Sequence, residues 1–397
     1  MALASARPVD DGSAAGRRRQ FGRRLAVSRL VLVSVGMLAP LLGLELGLRL
    51  AGPFLPGDYQ TASFVASSAV VGRQNKPNMA GWRHTAEFTT WVRVNSKGLR
   101  GPEIEYAKPT GTFRILVLGD SFTFALQVAE EQTFVARLAD RLNAAQPWLP
   151  VETVNAGVDG WSTANEYAWL ATEGYRYEPD LVLLMYYVGN DPHENADQVG
   201  TPEEVDRLRL GADHGRPLDA AREALRGASV AYTFFEQGVL AKLSAQSPLD
   251  ELQREQWLDG RERPRIAREM WGLGVDPEVW DIDSEQKVRG WAISEALLSR
   301  LRDFCSARGM KLAVVGIPTN VQVTKPQPTT TPLPVVSRRA GLSEIDLLEP
   351  FRAQQPGLAR RLYFPENRHW TPDGHDLAAQ VVATGLLRRG LVPAPGR

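Results

Sequence analysis

The chain has 397 residues, no net formal charge and a single cysteine, Cys305. Balanced charge leaves no basic footprint for nucleic acid, and one thiol excludes an internal disulfide or a cysteine-built metal cluster. Five histidines are present, and His369 and His375, six apart with no cysteine nearby, lack the clustering of a zinc site, so neither metal nor cofactor is expected.

Seven arginines against two aspartates precede residue 30, and residues 1–29 read as a disordered, basic cytoplasmic tail. "LVLVSVGMLAPLLGLELGL", Leu30 to Leu48, is apolar except for serine, glycine, one proline and Glu45. About 20 such residues cross a bilayer as a helix. Residues 30–50 therefore read as a single-pass transmembrane helix. Arginines ahead of it predict a cytoplasmic amino terminus, an inner-membrane location and an extracytoplasmic, periplasmic bulk. A cleaved signal peptide is the rival reading, and the run is long for one.

Residues 51–112 are rich in Pro, Gly and Asn and read as a spacer packing on the next domain. "EFTTWVRVN", Glu87 to Asn95, alternates as a strand does and leads into the turn sequence "SKGLRG". Asn95, Gly98 and Arg100 there suit either a ligand contact or a tight turn.

From residue 113 to 397 the pattern alternates strand and helix. "RILVLG", "VETVNAG", "PDLVLLMYYVGND" and "MKLAVVGIPTN" are apolar strands without alternation, and helices separate them, as in "EQTFVARLADRLNAA" and "STANEYAWLATEG". Such strands belong to a parallel sheet covered on both faces. The expected fold is a three-layer α/β/α sandwich with a central parallel sheet, flavodoxin-like in character. Residues 192–283 interrupt the rhythm as a charged, mainly helical insertion. Its tryptophans, Trp257, Trp271 and Trp280, with Trp291 just beyond, suit either core packing or sugar stacking. "KPQPTTTPLPVV", Lys325 to Val336, reads as a loop without secondary structure, and the last helix starts near Pro372.

Three strand ends carry small or polar residues: Gly119-Asp120-Ser121, Asn155-Ala156-Gly157 and Gly189-Asn190-Asp191. Ligands of open parallel sheets gather at such ends. A serine hydroxyl needs a base to become a nucleophile, histidine suits that task at neutral pH, and the developing oxyanion needs preorganised donors. The plain alternative for Ser121 is a helix cap. His193 stands close enough to Asn190 to line a pocket, and His375 suits packing or capping.

The set "VLGDSFTF", "VNAGVDGWS", "YYVGNDPHEN" and "ENRHWTPDGH" resembles the serine, glycine, asparagine and histidine blocks of the SGNH, or GDSL, hydrolase superfamily. Together with "VNSKGLRGPEIEYAKPTGTFRILVLGDSFTFALQV", it resembles membrane-anchored bacterial members linked to surface or exported polysaccharide. The resemblance implies Ser121 as nucleophile, His369 as base, and Ser121, Gly157 and Asn190 as oxyanion donors. Three residues before the histidine the family has aspartate, whereas here Glu366 stands. Glu366, a backbone carbonyl, Asp373 or Asp376 remain open as the group orienting the imidazole. The implied activity is a serine esterase or O-acyltransferase acting on an acylated extracytoplasmic carbohydrate. A glycan-binding protein that keeps the fold without catalysis is the alternative.

Overall fold

The computed structural model describes residues 12–51, 64–207, 225, 228–235, 285–324, 332–354, 357, 361–365 and 367–394. Helix α1 spans Gly12–Ala51. The basic stretch expected to be disordered is thus helical from residue 12, in keeping with the strong helix propensity of its arginines and alanines. Within α1, Leu32–Ala51 is long and apolar enough to cross a membrane, and only 6% of its most apolar window is buried. That exposure distinguishes it from the core helix of a soluble protein.

Two small antiparallel hairpins follow, β1 (Val65–Ser68) with β2 (Gly72–Asn75) and β3 (Ala80–His84) with β4 (Thr89–Arg93). The sequence marks only β4, because β1 to β3 are short and half polar. The main sheet comprises β5 (Phe113–Gly119), β6 (Val151–Gly157), β7 (Leu181–Tyr187), β8 (Lys311–Ile317) and β9 (Glu344–Asp346), all parallel, in the order β6-β5-β7-β8-β9. In sheet-strand numbering this is 2-1-3-4-5, the doubly wound order whose ligand site lies at the switch between its first and third strands. The expected three-layer sandwich is therefore the observed one.

Helices α2 (Ser121–Phe124), α3 (Phe134–Ala145), α4 (Thr163–Thr172), α5 (Asp191–Val199), α6 (Val230–Thr233), α7 (Glu285–Ser306), α8 (Leu333–Arg339) and α9 (Pro372–Arg388) complete the elements used below. On one face of the sheet, α3 (Phe134, Leu138, Leu142) and α9 (Ala379, Val382, Leu386) bury Ile115, Val117 and Leu183. On the other, α4, α7 and α8 cover Leu116, Leu118, Leu184 and Val314. Alternate residues of each strand serve opposite cores, which is why these strands read as continuous apolar runs.

Helix α5 belongs to this sandwich. Its Ala196 and Val199 pack on Ile293 and Leu297 of α7, and a side chain at Gly290 would lie 1.7 Å from the Pro192 carbonyl oxygen. The insertion therefore begins after α5, later than residue 192. Most of it, including Trp257, Trp271 and Trp280, lies outside the described residues. Trp291 is 2% exposed and stacks on Tyr186 at 5.5 Å, so it is core and takes no part in sugar stacking. Helix α8 occupies the end of the stretch expected to be an irregular loop, with Pro334 in its first turn, where its missing N–H leaves no helical bond unmade; residues 325–331 lie outside the described residues.

Two contacts tie the amino-terminal region to the domain. Glu45 of α1 accepts from Ser229 Oγ (2.7 Å), Val230 N (3.0 Å) and Ala231 N (2.9 Å) and pairs with Arg49 at 2.6 Å. A carboxylate at the end of an apolar helix is thereby satisfied by the start of α6. Arg100, 4% exposed, donates to the carbonyls of Phe124 (2.5 Å), Ala125 and Val128 (2.6 Å). Burial pulls its guanidinium down to about 10, which leaves it charged at neutral pH. Asn95 is equally structural: its Oδ1 accepts from the N–H groups of Lys97 and Leu99, and its Nδ2 donates to the Pro102 carbonyl. Of the two readings of this turn, the structure takes the ligand-free one.

Arg100→Met keeps the apolar stem and removes the guanidinium donors to these three carbonyls, leaving Ala125 only the long Val128 N–H bond at 3.3 Å. It should destabilise the protein by about 3 kcal/mol, measured by thermal or guanidinium unfolding in detergent. A loss below about 0.5 kcal/mol would show that the clamp adds nothing.

Candidate active site

Strand β5 is buried along its whole length, and the chain turns sharply after Gly119. The cap of α2 is Asp120, whose carboxylate accepts the Phe122 N–H at 2.9 Å. Ser121 is therefore released from capping. Phe122, Thr123 and Phe124 are buried, while Ser121 stays partly exposed. Its Oγ lies 2.7 Å from His369 Nε2, across 248 residues of sequence.

His369 sits on a tight loop closed by three backbone bonds: Phe364 N to His369 O (2.8 Å), Arg368 N to Phe364 O (2.9 Å) and Thr371 N to Leu362 O (3.0 Å). Arg368 takes the left-handed region, φ 63°. The ring packs on Phe122 at 4.7 Å. Its Nδ1 lies 3.0 Å from the Asn367 carbonyl oxygen. A carbonyl can only accept, so the proton resides on Nδ1 and the Nε2 lone pair faces the serine hydroxyl. Burial holds the imidazolium below its usual pKa, so the ring is neutral at neutral pH and can take a proton.

The carbonyl of Asn367 is thus the group that contacts Nδ1. Glu366 lies outside the described residues. Asp376 pairs with Arg137 and Arg141, at 3.2 and 2.7 Å, which directs it away from His369. His375 is 1% exposed and lies parallel to Phe134 at 6.0 Å, and its Nδ1 accepts the Phe134 N–H; it is a packing residue. His193 is on the surface, 3.3 Å from Asp197.

The two expected oxyanion donors differ in freedom. Gly157 is buried, and its N–H donates to Asn155 Oδ1 at 3.0 Å. A Cβ there would lie 2.2 Å from Phe124 N and 2.6 Å from Thr123 C, so this glycine exists to let α2 approach β6. Its N–H is not free to meet an oxyanion. Three residues on, Gly160 is partly exposed with φ +73°, and its N–H has no hydrogen bond among the described residues. The neighbouring Asp159 is close enough for its charge to act on His369 and Asp120, which puts this turn beside the catalytic pair. Asn190 leads α5 without capping it, and its side chain hydrogen-bonds Glu194.

Behind these groups lies a cluster of carboxyls that the motifs alone do not reveal. Asp120, Glu166 and Asp191 are at most 1% exposed, and Glu194 lies alongside. Among the described residues, both oxygens of Glu166 and one each of Asp120, Asp191 and Glu194 lack a hydrogen-bond partner. Burial, reinforced by mutual repulsion, pushes Asp120 up to about 8 and raises Glu166 and Asp191 well above the carboxylate range, while burial opposed by Arg73 brings Glu194 up to about 7. Asp120, Glu166 and Asp191, buried with like charges as neighbours, hold protons at neutral pH. No group of three or more His, Cys, Asp or Glu among the described residues is arranged to hold a metal ion.

The site is that of a doubly wound α/β protein with a serine–histidine pair at the switch point of its sheet. Serine, glycine, asparagine and histidine segments stand around the sheet's carboxyl edge, an arrangement that resembles the blocks quoted from the sequence. No protein-family model and no curated protein matches the sequence. Among solved structures, the chain is similar to a lipase/acylhydrolase from Enterococcus faecalis (14% identity, TM-score 0.38, 72% of this chain and 100% of that one). It is also similar to a variant of an acetyl xylan esterase from Geobacillus stearothermophilus (13%, 0.36, 72% and 99%) and to a two-domain esterase active on acetylated mannans (12%, 0.38, 72% and 51%). At these scores the likeness adds no weight to the geometry of the site.

The carboxyl cluster makes stability depend on pH. The folded state holds protons that the unfolded chain releases above about pH 4, so stability should fall as pH rises from about 4.5 to about 8. The slope is about 1.4 kcal/mol per pH unit for each proton retained. Glu166→Gln replaces one of these proton-holding carboxyls with a group that does not titrate and should flatten that fall. Melting temperatures between pH 5 and 8 test this; a wild-type curve that is flat or rises with pH would contradict it.

Proposed function

We propose that the protein is a serine esterase or O-acyltransferase working through an acyl-Ser121 intermediate. The observation that carries this reading is the 2.7 Å contact between Ser121 Oγ and His369 Nε2. Ser121 Oγ attacks the ester carbonyl as its proton passes to His369 Nε2. The Asn367 carbonyl stabilises the resulting imidazolium through Nδ1–H, as the carboxylate of a triad does in related chemistry. The tetrahedral oxyanion is met by the Ser121 N–H, by Asn190 and by the free Gly160 N–H in place of Gly157. His369 then returns its proton to the leaving alcohol oxygen as the carbon–oxygen bond breaks. Water or a sugar hydroxyl, deprotonated in turn by His369, releases the acyl group from Ser121.

The substrate class we infer is an acylated, chiefly acetylated, extracytoplasmic carbohydrate. The long apolar segment Leu32–Ala51 with arginines ahead of it supports a single-pass inner-membrane anchor and a periplasmic catalytic domain. The domain plan we adopt is a basic tail, this helix, a spacer over residues 51–112 that packs on the catalytic domain, and the hydrolase domain from 113 onward.

The full chain in detergent should hydrolyse p-nitrophenyl acetate. Ser121→Ala should abolish turnover and labelling by a fluorophosphonate probe. His369→Ala should lower the rate by about 10²–10⁴-fold. Wild-type protein that neither turns over nor labels would favour the non-catalytic glycan-binding alternative; near-normal rates in His369→Ala would remove the base. Product analysis with and without an acceptor sugar separates hydrolysis from transfer.

A further inference from the structure

The β3–β4 hairpin carries two tryptophans on its outer face. Trp82 and Trp91 are 54% and 47% exposed. They face each other across the hairpin, with rings 5.4 Å apart at 67°, and the His84 ring lies along Trp82 at 5.7 Å. Strand alternation explains the geometry: Val92 and Thr90 point inward, while Trp91 and Arg93 point outward. A cross-strand aromatic pair adds about 0.2–1 kcal/mol to a hairpin, yet roughly half of each ring stays exposed, and an exposed aromatic face beside a groove marks an interaction surface.

This face forms one wall of an open groove of about 460 Å³ whose other wall is the segment Gln127–Gln132, a size typical of ligand clefts. Two groove-lining side chains are buried but unsatisfied. Thr90 is 3% and Gln127 5% exposed, and neither Thr90 Oγ1 nor Gln127 Oε1 has a hydrogen-bond partner among the described residues. Thr90 faces the interior, whereas Gln127 belongs to the wall opposite the tryptophans; buried polar groups are almost always paired, so the Gln127 amide calls for a polar occupant. The charges in the groove are Arg93, paired with Glu130 at 3.4 Å, and Glu131. The excess is negative, which disfavours an anionic chain.

Both walls are tied to the elements that carry Ser121 and His369. In the hairpin turn, Glu87 Oε2 accepts the Asn367 N–H at 2.7 Å, and the Phe88 ring lies 5.4 Å from Phe364, on the loop that carries His369. The opposite wall follows directly from α2, and Arg100 holds it at Val128.

We propose that this groove binds a neutral polysaccharide chain, stacking pyranose rings on Trp82 and Trp91 and hydrogen-bonding sugar hydroxyls through Gln127 of the facing wall. Its use in presenting an acylated sugar to Ser121 rests on the esterase reading above; the binding itself does not.

The full-length Ser121→Ala protein in detergent separates the two. Titrated with acetylated xylan, acetylated mannan and cellulose oligosaccharides, it should show saturable binding by calorimetry and tryptophan fluorescence, tighter than for oligogalacturonate. Trp82→Ala and Trp91→Ala should each weaken binding about tenfold. Gln127→Leu, which leaves both rings in place, should weaken it roughly three- to tenfold. Melting temperature reports that each variant is folded. Absence of binding to all three neutral chains, preference for the anionic one, or unchanged affinity in folded tryptophan variants would each overturn the proposal. Binding without any esterase turnover in the wild-type chain would leave the groove standing and overturn the esterase reading alone.

Discussion

The site depends on a ring held at both ends. Nδ1 of His369 points at a backbone carbonyl and Nε2 at Ser121, so the proton has one place to reside and the lone pair one direction to face. A carbonyl carries only a partial charge, but it cannot titrate or rotate away. Its position is fixed by the short loop from Leu362 to Thr371, whose backbone bonds close before and after the histidine. Orientation of the base is therefore a property of the loop's fold as well as of any acidic partner.

The serine is fixed by different means. Asp120 takes over the capping of α2, Gly157 lets that helix settle on β6, and Arg100 gathers the carbonyls at the helix's far end. The amino-terminal region thus takes part in building the carboxyl edge that carries Ser121 and His369. Its two attachments, Arg100 to the nucleophile segment and Glu87 to the histidine loop, reach both halves of the pair.

Much of this was legible in the sequence. Fully apolar strands alternating with helices specified a parallel sheet, and the four blocks at its carboxyl edge pointed to Ser121, Asn190 and His369. What the sequence could not decide was geometric. "NAGVDG" offers two glycines, and only the path of β6 reveals that the Asn155 side chain occupies the Gly157 N–H while the Gly160 N–H stays open. Arg100 reads as a surface cation in a turn; its burial becomes visible only when distant carbonyls converge on it. Strands β1 to β3 were missed because a four-residue polar strand such as "GRQN" carries no periodic signal. The outward tryptophans were hidden differently: period-two alternation shows that Trp91 and Val92 face opposite ways, but not which face meets the core.

The carboxyls behind Ser121 bear on how the molecule forms. Asp120, Glu166 and Asp191 are ionised in an extended chain at neutral pH and protonated once enclosed, and Glu194, raised to about 7, is protonated in part. Assembly of the sandwich therefore draws hydrogen ions from the surrounding water, and acidic surroundings favour the completed structure over its precursors.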